Sequence, residues 1–598
     1  MTRQTKRHAR LGEEEPKLLS SGGSSAIIGA IVAVALPTLL SFNLPPSATF
    51  LNQAASLIGW GLWLLLLAAL LPATWGRPLG EGLAALLGAL GLLLLAALVS
   101  PLWAGLPATL SLSFVGMIAA AMLVVLMAAM LQRHGHGRQA FEAFCWALVI
   151  AGVLSALIGV VQIYVPGWTG NSWLAAANAN RAGGNLRQAN HLSSLLLWSL
   201  VAAVWLGDAK RLPRAAVIAV SLLMLFGVVL SGSRTGMLGT LMLAGWGLLD
   251  RRLSPPARRM LWLAPVAYAL MWGGMALWAQ AQQQVFDGVA RLQQADLSSN
   301  RLAIWSNALS LVAAHPWLGV GFGEFNFAWT LTPFPSRPLE FFDHAHNIVL
   351  QFAVELGLPL ATLVLSLLLW ALVEAVKAAR KAEGETALQL RAAVMMVLLV
   401  ALHSQLEYPL WYAYFLLPAS FAFGLCLGGS LKSVVPAPAA PTATEPRRTR
   451  PLMIGALMLT MGGAASVWDY TRVVSIFAQT ENTPLAQRVM EGRRSWFFAH
   501  HADYAAATVV EHPSQVMAAF ARAPHYLLDT RLMIAWATAL KEVGEEDHAR
   551  HLAQRLREFH NPGAKDFFAP CEQPGAAPES LPFQCQAPTR PLGYLDFR

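Results

Sequence analysis

Five short polar clusters interrupt an otherwise strongly apolar sequence, and each carries residue types that can move protons or hold anions. The first, GNLRQANHLSSLL from Gly184 to Leu196, sets Arg187, Gln188, Asn190 and His191 just ahead of an apolar run; by composition it also reads as a solvated loop and helix cap. The second, SGSRTG at 231 to 236, is a tight turn between two apolar stretches. Turn geometry accounts for Gly232 and Gly236 but does not require Arg234, which is either a snorkelling surface charge or an anion ligand. The third runs SSNRLAIWSNALSLVAAHPWLGVGFGEF. Its Leu302, Trp305, Leu309 and Val312 fall on one helical face, as in a segment lying along a membrane surface, and Arg301 occupies a first turn whose backbone N–H groups favour an anion. GVGFGEF has neither a Walker lysine nor a preceding strand, so it reads as a bend and not as a nucleotide loop.

The fourth cluster, FFDHAHNIVLQFAVELG, holds Asp343, His344, His346 and Asn347. Two histidines and an acid can ligate metal, but no further ligand set stands at metal spacing, and no metal is expected. An imidazole titrates near physiological pH and suits proton transfer, a structural histidine being the alternative. The fifth, HSQLEYPLWYAYFLLP, contains His403, Glu407, Tyr408, Tyr412 and Tyr414. Its tyrosines fit an interfacial belt, whereas Glu407 at that depth needs a partner or water.

The elements that position these clusters follow from composition. Of the 598 residues 56% are hydrophobic and 13% charged, against roughly 45–50% and about 25% in soluble domains. This excludes a soluble enzyme and implies an all-α polytopic membrane protein. Apolar runs lie near 26–42, 54–72, 82–100, 112–131, 142–165, 190–207, 214–230, 235–249, 260–279, 347–373, 391–404, 410–429 and 452–470. They make about thirteen transmembrane helices, twelve to fourteen given that the eighth and eleventh are short. The net charge of +9 sits in short loops, where it reports orientation and not nucleic acid.

With the amino terminus inside, the cytoplasmic segments hold 23 Lys and Arg, and the opposite loops up to residue 471 hold six. Those six are Arg181, Arg187, Arg234, Arg291, Arg301 and Arg337, all arginine, whose planar fork suits phosphate or carboxylate. All five polar clusters then share the outer face. The chain divides into an uncleaved cytoplasmic tail (1–25), a membrane domain (26–430) with a periplasmic loop at 280–346, a Pro-rich cytoplasmic linker (431–451), an additional span (452–471) and a periplasmic helical domain (472–598). In the last, LLDTRLMIAWATALKEVGEEDHARHLAQRLREF reads as two helices about a Gly544 turn, resembling one tetratricopeptide-type hairpin. That region carries no clustered arginines with histidine, so it is expected to influence acceptor choice more than donor chemistry. Cys571 and Cys585 can pair in an oxidising periplasm, while Cys145 and Cys426 belong to spans.

The ordered set GNLRQANH, SGSR, NRLAIW with HPWLGVGFGEF, DHAHN and LEYPLWYAYFLL resembles the O-antigen ligase superfamily, over roughly residues 150–430. Within it the pilin-glycosylating protein O-oligosaccharyltransferases of bacteria are the best match. The resemblance implies a multi-pass inner-membrane glycosyltransferase with its site facing the periplasm. The donor would be an undecaprenyl-pyrophosphate-linked oligosaccharide, and the acceptor a Ser or Thr hydroxyl of pilin or another exported protein. Membrane lipid is the surrounding partner, and no cofactor is implied. On this resemblance His346 is the catalytic base, Arg234, Arg301 and Arg187 bind the donor pyrophosphate, and Gln188, Asn190, Asp343, Glu407 and Tyr412 support, with Tyr408 and Tyr414 left open beside Tyr412. Asp343 or Glu407 would fix the histidine tautomer. Displacement is expected to be single, with inversion. The alternatives are an O-antigen ligase acting on lipid A core sugars and, from another class, a lipid-linked glycan transporter, which would need polar residues deep in several spans; Glu355 is the clearest such charge.

Overall fold

The computed structural model describes residues 21–71, 79–178, 180–284, 300–429, 451–478, 483–572 and 581–598. Most of the expected tail (1–25) and linker (431–451) lies outside these residues, as do Arg77, Arg291 and part of the 280–346 loop. Helices carry the described fold, with one isolated bridge between Asn178 and Arg181. Ten are long and apolar enough to cross a membrane: α2 (Phe50–Ala68), α3 (Glu81–Trp103), α4 (Ala108–Arg133), α5 (Gly137–Tyr164), α6 (Ala189–Asp208), α7 (Arg214–Ser231), α9 (Pro255–Ala281), α12 (Ile348–Lys381), α13 (Gly384–His403) and α15 (Pro451–Phe477). The chain is a multi-pass membrane protein.

The remaining three expected spans are shorter helices: α1 (Ser24–Leu39), α8 (Arg234–Leu249) and α14 (Ala413–Gly428). The last two have 16 residues each, or about 24 Å, several ångströms less than a hydrocarbon core. Both begin at polar clusters, Arg234 opening α8 and Tyr412 preceding α14, so their shortness leaves room at one mouth of the bundle. By contrast α13 is longer than its apolar run, because its first turns carry charges that hydropathy discounts, among them Arg391, paired with Asp250.

The central helix is α6, buried along nearly its whole length between α5, α7, α8 and α13. Small residues allow the approach: a Cβ on Gly152 of α5 would meet Ser199 of α6 at 2.4 Å. Because α6 cannot shift, the cluster at its amino end is fixed in depth.

A second core lies outside the bundle. It joins α10 (Arg301–Ala314) and α11 (Phe325–Leu331) of the long loop to the carboxyl-terminal region, packing Ile304, Leu311, Phe327 and Trp329 with Leu532, Trp536, Leu552 and Phe559. In α10 the buried face is Ile304, Asn307, Ala308 and Leu311, whereas Leu302 and Leu309 on the other face are exposed, which suits a segment resting on the membrane surface. The predicted hairpin is present as α16 (Thr530–Glu542) and α17 (Glu546–Glu558), with Gly544 left-handed between them. Cys571 and Cys585 are joined by a disulfide, and Cys145 and Cys426 are buried and free.

GVGFGEF is a docking strap. Helix α12 breaks at Gly357, two residues before Pro359, and frees two carbonyls. The N–H groups of Val320 and Gly321 donate to Val354 and Glu355 O at 2.8 and 3.1 Å, and a Cβ on Gly319 would meet the Gly357 backbone at 2.5 Å. Glu355, the deep charge that a transport path would have used, instead accepts from Gln351 Nε2 at 2.9 Å and from the backbone of Gly323 and Phe325.

Candidate functional site

Three separate segments converge on one carboxylate. Glu407 lies in the connection between α13 and α14, its side chain 9% exposed. Its Oε1 accepts from Asn190 Nδ2 of α6 at 3.0 Å and lies 3.3 Å from Nη2 of Arg301, the first residue of α10. Its Oε2 lies 3.2 Å from His346 Nδ1. Burial alone would push the Glu407 carboxyl up; the His346 contact, then the charges of His346, His344 and Arg301, more than offset this and hold it down at about 2. Glu407 is therefore an anion at any physiological pH.

Local structure explains why each partner points there. Asn190 is the second residue of α6, whose cap is Gln188: the Gln188 Oε1 accepts from His191 N at 2.6 Å. Ser233 caps α8 by accepting from Gly236 N at 3.0 Å and donates to Asn190 Oδ1 at 2.6 Å, fixing the amide so that its NH2 faces Glu407. Arg234 follows Ser233 in the chain and is half-buried at the same mouth. Arg301 also donates from Nε to Leu406 O at 3.0 Å, so two contacts orient its plane.

His346 is held in a left-handed conformation (φ 52°), which costs a non-glycine residue free energy and persists only where its surroundings impose it. Here they do. The preceding Ala345 donates its N–H to Gln351 Oε1 at 2.7 Å and accepts from Trp305 Nε1 at 3.0 Å. The following Asn347 caps α12 through Val349 N and Leu350 N, both at 3.0 Å. Of the two acids expected beside His346, Glu407 is the one that approaches its ring, whereas Asp343, largely exposed, lies against Nδ1 of the buried His344.

Among the tyrosines, Tyr414 is buried with its hydroxyl 3.3 Å from His191 Nδ1. Tyr412 meets the His191 ring edge-on at 4.6 Å, and Tyr408 packs between Tyr412 and the His344 and His346 rings. Burial raises the Tyr408 phenol well above its ordinary value, so it is a neutral donor.

Not every expected residue joins this centre. Arg187 turns to the first outer loop, bonding Ala48 O at 2.9 Å and Ser41 O. Arg181 donates to Ser231 O at 2.9 Å, and Arg337 is enclosed in the outer core. Residue type singles out neither Ser233 nor Gln351 and gives Trp305 only a place on an apolar helix face; all three acquire a role here through remote partners.

His344, His346 and Glu407 offer ligand atoms within 4.8 Å of one another, the spacing of a metal group. The carboxylate is also shared by the Arg301 guanidinium, and His344 Nδ1 lies against Asp343. The arrangement gathers an imidazole, a guanidinium and an amide around one carboxylate. A groove of about 640 Å³ between α5 and α9, lined by Gln162, Leu230, Met275 and Trp278, opens beside the end of α7.

Three family models match the chain in order. One described as protein glycosylation ligase matches residues 182–206, one described as O-antigen ligase matches 219–365, and one described as virulence factor membrane-bound polymerase, C-terminal, matches 391–568. They contain, respectively, Asn190; Arg234, Arg301 and His346; and Glu407 with the tyrosines. Among curated proteins, the General O-oligosaccharyltransferase of Acinetobacter baylyi is 28% identical over 299 residues, 48% of this chain and 50% of the relative. The ComP-specific O-oligosaccharyltransferase of the same organism is 25% identical over 299 residues, 49% and 52% of the two chains. The chain spans about half the length of the curated relatives it matches.

Proposed function

From a chain that stands in the O-antigen ligase superfamily, on its protein-glycosylating side, we propose that this protein transfers a preassembled glycan from undecaprenyl pyrophosphate to Ser or Thr hydroxyls of exported proteins such as pilin. The reaction takes place at the periplasmic face of the inner membrane. The carrying observation is the Glu407 centre, where one ionised carboxylate orients both a guanidinium and an imidazole. The excess of basic residues on the opposite loops supports the outward orientation, as does the disulfide in the carboxyl region.

The geometry supports a division of labour. Breaking a sugar–pyrophosphate bond releases a stable, highly charged anion, so the leaving group needs countercharge more than a proton. Arg301, and Arg234 from the turn that Ser233 ties to Asn190, supply planar N–H pairs for phosphate oxygens. With Glu407 3.2 Å from its Nδ1, a His346 imidazole protonated on that nitrogen has Nε2 left to accept the proton of the acceptor hydroxyl as its oxygen attacks the sugar C1. Glu407 stabilises the imidazolium that forms. The groove between α5 and α9 gives the polyprenyl tail a lateral approach from the outer leaflet. Arg187 ties the start of α6 to the first outer loop.

Reconstituting the full chain with lipid-linked oligosaccharide and a candidate pilin tests this reading by intact mass. A gain of one glycan mass on the pilin is expected. Transfer to lipid A core sugars with an unchanged pilin would move the protein to the lipopolysaccharide-modifying side of the superfamily.

A further inference from the structure

At the end of the bundle opposite Glu407, helices α6, α7 and α9 leave a groove of about 930 Å³. Its walls are apolar, including Val204, Leu225 and Leu261, and its mouth is lined by Lys210, Arg214 and Arg259. Two neighbouring charges are already engaged: Arg211 pairs with buried Glu142 at 3.1 Å, and Asp208 accepts from Ser254 N at 2.9 Å. Among the described residues no carboxylate pairs with Lys210, Arg214 or Arg259, and all three are exposed. A bilayer fills an open apolar groove with hydrocarbon, and a cationic mouth selects the headgroup attached to it. The basic bias of the loops puts this mouth at the cytoplasmic leaflet, where anionic headgroups are presented.

We propose that this groove is a binding site for an anionic phospholipid of the inner leaflet, an acyl chain lying between α7 and α9 and the phosphate resting on Lys210, Arg214 and Arg259. The site is distinct from the Glu407 centre and rests on the charge-derived orientation, not on the transferase reading. Its place in the fold gives it a consequence. The helix α7 ends, and α8 begins, at the turn bearing Ser233 and Arg234, and α9 packs along α8. A lipid seated between α7 and α9 therefore splints the helices that hold this turn from the far side of the membrane.

Native mass spectrometry of the full chain, delipidated from vesicles of equal phosphatidylglycerol and phosphatidylcholine, reads the retained lipid. Retention of phosphatidylglycerol over phosphatidylcholine by about tenfold is expected, each nearby cation contributing to the selection. The variant Lys210→Ala/Arg214→Ala/Arg259→Ala should lose that preference. The charge-matched control Arg251→Ala/Arg380→Ala/Lys381→Ala, on exposed positions away from the groove, should keep it. No preference in the unmodified chain, or equal loss in variant and control, would overturn the proposal. Should the triple variant fail to fold, Ala267→Trp fills the groove with its charges intact and should displace the lipid; undiminished retention in that variant would equally overturn it.

Discussion

Arg301 and Arg337 belong to the same long loop, and on sequence they are equivalent members of a set of six outer arginines. Their surroundings differ. Arg337 is 1% exposed, pairs with Glu558 at 3.1 Å, donates to Trp329 O and Thr332 O, and lies over the rings of Trp329, Phe334 and Phe559. Its donors are consumed in holding the loop to the carboxyl-terminal region. Arg301 makes two described contacts, keeps its side chain 16% exposed, and shares its carboxylate with an imidazole and an amide. A guanidinium saturated by protein builds structure; one anchored on a single edge retains donors for a substrate. The same contrast separates the two acids, since Glu558 pairs with two arginines, Arg337 and Arg555, whereas Glu407 gathers groups of different chemistry from three segments.

Exchanging the partner acids should separate the two regions most strongly. Glu407→Gln removes the charge that orients Arg301 and His346, and should lower glycan transfer by about 10²- to 10⁴-fold, read as modified acceptor per unit time. Glu558→Gln should leave transfer by the folded protein unchanged and lower its melting temperature. Equal losses of transfer would erase the distinction.

Exchanging the arginines sharpens it. Arg301→Lys keeps the charge but loses the planar fork, and should reduce transfer by about 10²-fold with little change in melting temperature. Arg337→Lys should do the reverse, costing about 2–4 kcal/mol through lost buried hydrogen bonds and ring contacts. Thermal unfolding in detergent and single-turnover transfer on both variants check the pair.

The sequence made one side of this comparison legible and not the other. Residue type and order pointed to Arg301, His346 and Glu407, because a lone charge or imidazole beside an apolar run demands an explanation locally. The exclusion of Arg187 and Arg337 was not legible: their partners, Ser41 and Ala48 in one case and Glu558 in the other, lie 139 to 221 positions away in the chain. For the fold, apolar runs located the helices of the bundle, the short eighth among them, but not the start of α13, whose first turns carry charges that hydropathy discounts. Nor did periodicity reveal that the long loop and the carboxyl-terminal region share one core, since the contacts that join the two segments span some 200 positions of the chain. That shared core means that cutting the chain at 472 would uncover Ile304, Phe327 and Trp329, so the expected influence on acceptor choice is better tested with exposed point variants than by truncation.

Acid is the gentlest probe. Glu407 is held at about 2 against an ordinary 4.5, so its ionised contacts contribute fully above pH 4.5 and are lost as pH falls from there towards 2. Hydrogen exchange across 343–347 should stay constant from neutral pH down to about 5 after correction for intrinsic rates, and protection should fall below that. Loss of protection already at neutral pH would mean that Glu407 does not hold this segment.

The division of labour at the centre is tested most directly by His346→Ala, with binding of the lipid-linked donor and transfer to acceptor protein measured on the same preparation. If Arg301 holds the donor and His346 takes the hydroxyl proton, donor affinity should persist while transfer falls by about 10²-fold or more. Near-normal transfer, or donor affinity lost to the same extent as transfer, would contradict that assignment.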